Sequence, residues 1–129
     1  MIDTLWDESI INGVDTKETP KMLLKKQASD LAIITKQVVQ AKVTTEMEYD
    51  GFVHCFDIIA PVLNYSNNTA FCIKQPLETD FPLIIYRGVG VLEVDKECEN
   101  LDDFRQHLGN IFKSRAMVAM IQNIIKQSI

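Results

Sequence analysis

Residues 40–61, QAKVTTEMEYDGFVHCFDIIAP, alternate between apolar and polar positions. Ala41, Val43, Met47 and Tyr49 fall on one set of positions, and Lys42, Thr44, Glu46 and Glu48 on the other. A period of two predicts a strand with one buried face. Asp50-Gly51 supplies a tight turn, and Phe52, Phe56, Ile58 and Ala60 carry the return strand. A two-residue Asp50-Gly51 loop needs positive φ at both positions, which this dipeptide tolerates. The register it sets pairs Tyr49 with Phe52, Met47 with His54, Thr45 with Phe56 and Val43 with Ile58. The opposite face is mixed: Lys42, Thr44 and Glu46 meet Val53, Cys55, Asp57 and Ile59, so it is expected to be partly covered.

Upstream the period changes. Leu24, Ala28, Leu31, Thr35 and Val38 recur at steps of three and four, predicting a helix from Thr19-Pro20 to about Val39. Thr19 can cap it, and Pro20 suits the first turn, where its missing N–H costs nothing. Residues 1–18 have no sustained period. They read as an N-terminal arm lying on the domain, with Leu5 and Trp6 docked.

Downstream, residues 61–69 form a turn-rich connection, with Asn64, Ser66, Asn67 and Asn68 suited to irregular backbone. Short strands are predicted at 70–75, 81–86 and 91–94, with Pro82 at the start of one. Asn100 caps the next helix, and Asp102 and Asp103 favour its positive N-terminal end. Phe104, Leu108, Ile111 and Phe112 give that helix its apolar face. Ser114 then opens a second helix whose Met117, Val118, Ile121, Ile124 and Ile125 cover a wide apolar arc. The whole chain, 1–129, reads as one α+β domain. It has a four- to five-stranded antiparallel meander, with an N-terminal helix and two C-terminal helices packed on one face.

Composition narrows the class. Apolar residues are 47% and charged residues 24%, an ordinary globular balance that argues against disorder. No apolar run reaches the length of a membrane-spanning helix, and the acidic N-terminus lacks a signal peptide's basic segment, so a cytoplasmic chain is expected. The net charge of −5, with few arginines, makes nucleic acid a poor partner. Charge is also segregated. Lys17, Lys21, Lys25, Lys26, Lys36 and Lys42 cluster early, whereas Glu93, Asp95, Glu97, Glu99, Asp102 and Asp103 cluster late. Three scattered cysteines, Cys55, Cys72 and Cys98, suggest reduced and partly buried thiols rather than a disulfide scaffold or zinc site.

Pro20, Leu23, Leu24, Gln27, Ala28 and Leu31, followed by Thr35-Lys36 and Ala41-x-Val43, resemble the start of an uncharacterised family of small bacterial proteins. The likeness continues at Phe52, Phe56 and Ala60-Pro61-x-Leu63-x-Tyr65, and in the acidic link to a C-terminal helix pair. The resemblance implies a bacterial, intracellular, single-domain protein and brings no activity with it.

No catalytic or metal-binding signature is present. Gly88-Val89-Gly90 precedes strand-like sequence and lacks the third glycine of a dinucleotide loop. No serine sits in a nucleophile elbow. No cofactor is implied. His54 and Cys55 are consecutive on a strand and point to opposite faces, but Cys72 on the next strand could approach His54 and make a thiolate dyad. The competing reading of His54 is a core histidine bonded to a neighbour. Tyr65, in the polar segment, could contribute to binding. Ile121 and Ile125 could form an interface. The leading expectation is a non-catalytic protein-interaction or accessory domain, through a protein partner or self-association. The alternative is a small-ligand binder or enzyme with a pocket between sheet and helices, using His54, Cys72 and Tyr65.

Overall fold

A computed structural model describes residues 4–14, 17–63, 65–88 and 91–129, the side chains of 65–67 excepted. Helix α1 (Pro20–Ile34) leads into five strands: β1 (Gln40–Glu48), β2 (Gly51–Ala60), β3 (Tyr65–Gln75), β4 (Leu83–Arg87) and β5 (Glu93–Cys98). Helices α2 (Leu101–Phe112) and α3 (Arg115–Gln127) follow. The sheet is antiparallel throughout, in the order β1-β2-β3-β4-β5, so the expected α+β meander is what the chain forms.

The three expected caps close the helix starts. Thr19 Oγ1 accepts from the Met22 amide at 3.1 Å, and the Asn100 side chain accepts from the Asp103 amide at 2.8 Å. Ser114 Oγ accepts from the Met117 amide at 3.2 Å. Each satisfies an amide that the first helical turn cannot.

One face of the sheet meets all three helices. Phe56, Ile58, Phe71, Ile73, Leu83 and Ile85 pack beneath Leu23 and Leu24 of α1, Phe104, Leu108 and Ile111 of α2, and Met117 of α3. Phe56 and Phe71 stack with centroids 5.4 Å apart, and Phe112 leans against both rings. This trio ties the end of α2 to the middle of the sheet.

Several boundaries differ from the sequence expectation. Helix α1 stops five residues early. Lys36 and Gln37 adopt left-handed backbone, with φ of 54° and 69°, and the Gln37 amide donates back to the Ala32 carbonyl at 2.7 Å. Thr35 Oγ1 stitches the exit by donating to the Val39 carbonyl and accepting from its amide, which seats Val39 in the core. The hairpin turn is Tyr49-Asp50 rather than Asp50-Gly51, because Glu48 pairs with Gly51. Neither turn residue has positive φ. The register slides by two residues, which keeps every side chain on its expected face but places Thr45, not Met47, opposite His54.

Residues 65–69, expected as loop, extend β3, with Asn64 outside the described residues. The last strand, expected at 91–94, lies further on: it runs from Glu93 to Cys98 through the acidic stretch, as the edge strand β5. Pairing with β4 overrides the low strand propensity of its acids. The arm is not docked. Its residues 8–13 form hydrogen-bonded turns, and Leu5 and Trp6 are fully or largely exposed.

Candidate functional site

Sheet pairing creates a notch. Strand β4 pairs with β3 only at Cys72, Ile73 and Lys74, whereas β2 accompanies β3 from Phe52↔Gln75 to Ala60↔Tyr65. Past Cys72, the edge of β3 that faces away from β2 therefore has no strand partner among the described residues. Arg87 and Gly88 close the near end of this gap, and Leu92 and Asp95 form its far wall. Helix α3 lies alongside with Ala116, Met117 and Met120. The resulting cleft encloses ≈1030 Å³ and is open to solvent.

The β3 edge in the cleft consists of Asn68, Thr69 and Ala70. Asn68 Nδ2 donates to Met120 Sδ at 3.6 Å, tying the strand to α3. Thr69 Oγ1 donates to the buried Asp57 carboxylate at 2.7 Å, so its own backbone is held flat against β2. The register shifts between Phe56 and Asp57 because Ala70 is an extra residue on β3, between Phe71 and Thr69. Bulges re-aim a strand beside open edges.

At the base of the cleft lies the bond joining Cys55 to Cys72. The two are direct cross-strand partners on the sheet face opposite the core. Their disulfide corrects the expectation of three reduced thiols, which rested on the absence of a sequence spacing pattern. The signal lay in the β2–β3 register, which spacing along the chain does not reveal. Cys98 is the free thiol, fully buried, and burial pushes it up to about 11. Such a thiol is inert at neutral pH.

The structure does not bring the predicted site residues together. His54 pairs with Ile73 and faces the helices, whereas Cys72 leaves the opposite face and is bonded to Cys55. The thiolate dyad is thereby excluded. His54 is instead a satisfied, buried histidine. Gln75 Nε2 donates to the Thr79 carbonyl and to Asp80, which turns its Oε1 toward His54 Nε2 at 2.8 Å. Nε2 must then carry the proton, and the Thr45 hydroxyl donates to Nδ1 at 2.9 Å. Burial holds the ring below its ordinary value of 6.5, only partly opposed by the Gln75 bond. Tyr65 lies on β3, but its side chain is outside the described residues.

Ile121 and Ile125 are half-buried and packed against the core cluster. Ile121 also lines a second, smaller concavity of ≈270 Å³ between α1 and α3. Its floor is Phe56 and Ile58 of the sheet, and Leu31, Ile34, Phe112 and Met117 form its walls. Gln27, Asp30 and Lys113 sit around its rim. The groove runs between α1 and α3 where both pack on the sheet, above a Phe56 that is itself buried.

Among the described residues, no group of histidines, cysteines and carboxylates could hold a metal ion, and no helix is long and apolar enough to cross a membrane. The chain matches no protein family, no curated protein and no solved structure.

Proposed function

We propose that the domain is a protein-interaction module that takes an extended segment of a partner by strand addition at the cleft. The observation that carries this reading is the β3 edge at Asn68–Ala70, without a strand partner among the described residues, beside the apolar side chains of α3. Unpaired strand edges recruit other strands, and folded proteins guard them with charge. The two outer edges of this sheet are guarded: β1 carries Lys42, Glu46 and Glu48, and β5 carries Glu93, Asp95, Lys96 and Glu97. The cleft edge carries none. A peptide laid there would gain main-chain hydrogen bonds from β3 and place alternate side chains against Met117 and Met120.

The setting proposed with this function is an accessory role in a bacterial cytoplasmic system, and it rests on the family resemblance alone. The Cys55–Cys72 bond weighs against a cytoplasm, because disulfides persist mainly in oxidising compartments.

The test is selection from a phage-displayed library of linear peptides, followed by hydrogen exchange on the complex. The expected result is slowed exchange at the amides of Asn68, Thr69 and Ala70. Ala116→Arg, an exposed substitution that fills the cleft from α3, should abolish the selected binding without unfolding the domain. Peptides that bind equally well to this variant, and leave those amides unprotected, would refute strand addition.

A further inference from the structure

Two apolar surfaces of this chain lie open at once. The arm exposes Leu5, Trp6, Ile10, Ile11 and Val14, each with more than half of its surface in water. The groove between α1 and α3 is walled by half-buried Leu31, Phe112 and Ile121 above the buried Phe56 and Ile58, with the largely exposed Ile34 at its lip. We infer that the arm of a second copy of this chain fills the groove, and that two copies exchange arms.

Shape and charge both favour the match. The arm is not a loose thread: the Gly13 amide donates to the Ser9 carbonyl, and the Ile10 amide to Asp7, so residues 7–13 form a compact coil. Trp6, Ile10, Ile11 and Val14 recur at steps of four, one and three, the spacing of side chains that gather on one side of such a coil. A groove of ≈270 Å³ is small for a separate ligand but suits a large side chain or two. The arm also carries Asp7 and Glu8, and the groove rim presents exposed Lys113. Asp30, the acid on that rim, is already paired with Lys26 at 3.3 Å.

The occupant we assign is a second copy because this chain's own arm holds its apolar side chains in water, away from the groove. Glu18, at its root, is held by Arg105 of α2 at 2.8 Å. The groove is built from the far half of α1, Gln27 to Ile34, roughly 10–20 Å along the helix from Pro20 at 1.5 Å per residue. Here the arm leaves its root with its apolar side chains in water, and the groove of the same chain is unfilled. Reciprocal exchange gives each copy one donated and one received arm, which closes the assembly at two.

Trp6 is the chain's single tryptophan, so its fluorescence reports the arm alone. The full chain is followed by Trp emission and by light scattering across a concentration series. The expected result is a dimer forming as concentration rises, with a blue shift of Trp6 emission over the same range. Ile34→Glu and Trp6→Ala alter exposed side chains, so the fold survives, and each should abolish the dimer. A monomer with water-exposed Trp6 at every concentration would overturn the proposal. So would a blue-shifted monomer, which means that the arm docks on its own chain. A dimer that keeps Trp6 exposed, or that resists Ile34→Glu, places the interface elsewhere and overturns it too.

Discussion

His54 and Cys72 sit on neighbouring strands one register step apart, yet their side chains leave opposite faces of the sheet. His54 points at the helices and is bonded on both ring nitrogens by Thr45 and Gln75. Cys72 points away and is bonded to Cys55. A nucleophile–base pair requires the two groups within hydrogen-bond reach of each other. The sheet therefore uses its histidine for packing and its cysteine pair as a staple, which moves the functional question to its edges and grooves.

The staple closes a short loop, since Cys55 and Cys72 are separated by 17 residues. Restricting a loop of that size in the unfolded chain is worth about 3 kcal/mol. Reducing agent should therefore lower the urea midpoint substantially, and a Cys55→Ser/Cys72→Ser double variant should already sit at the lower midpoint and ignore the reagent. Thiol titration of the unreduced, unfolded chain should find Cys98 alone. Three titrating thiols in freshly isolated protein would mean that the bond does not form in its native compartment.

The histidine makes stability depend on pH with a definite sign. Burial lowers the proton affinity of His54 in the folded state, so the unfolded chain takes up a proton first as pH falls. Its contribution is constant above about 6.5, the ordinary value, and stability is lost as pH drops from there through the folded value. Chemical denaturation from pH 7.5 to 5 should show this decline, and His54→Gln should flatten it. A wild-type profile that rises on acidification over that window would contradict the buried, neutral ring.

The parts of the fold set by neighbours in sequence were legible in advance. Thr19, Asn100 and Ser114 cap their helices because a cap needs only the next three residues. The hairpin faces follow from alternation, which survives a slide of two. Contacts set by distant pairing were not legible. Strand β5 shares only Glu93 and Val94 with the last strand expected at 91–94; the acidic remainder gives no strand signal and pairs because β4 lies beside it. The Cys55–Cys72 bond depends on the β2–β3 register, and the cleft depends on where β4 stops. The arm's apolar residues gave no hint of whether they would be covered.

The exit from α1 stores a correctable cost. Lys36 and Gln37 both hold left-handed backbone, which costs a side-chain-bearing residue roughly 1–2 kcal/mol. Glycine occupies that region freely. Lys36→Gly, on the exposed side of this junction, should raise stability by about 1 kcal/mol in urea titration, against the usual destabilising effect of glycine. A loss of stability would show that Lys36 is helical and that α1 continues toward Val39.

Gly51 offers the sharpest discrimination between the two hairpin registers. In the register expected from Asp50-Gly51, this glycine lies in the loop with positive φ, where asparagine substitutes at little cost. In the structure it is instead the first residue of β2, paired with Glu48 and buried against β3. A Cβ there would collide with the Gln75 carbonyl oxygen and press on Lys74 Cε at 3.3 Å. Lys74 is already committed, bonded to Asp50 at 2.8 Å and to Glu48 at 3.2 Å across the turn. The main chain of β3 is fixed here by the pairing of Gln75 with Phe52 and, one residue back, of Lys74 with both Val53 and Ile84, so it cannot yield as a flexible side chain would. Gly51→Ala should cost about 1–3 kcal/mol, the range for forcing atoms into packed space. Gly51→Asn should cost at least as much. The urea midpoints of the two variants decide the matter: an asparagine as stable as wild type would restore the Asp50-Gly51 turn and shift every β1–β2 pair by two.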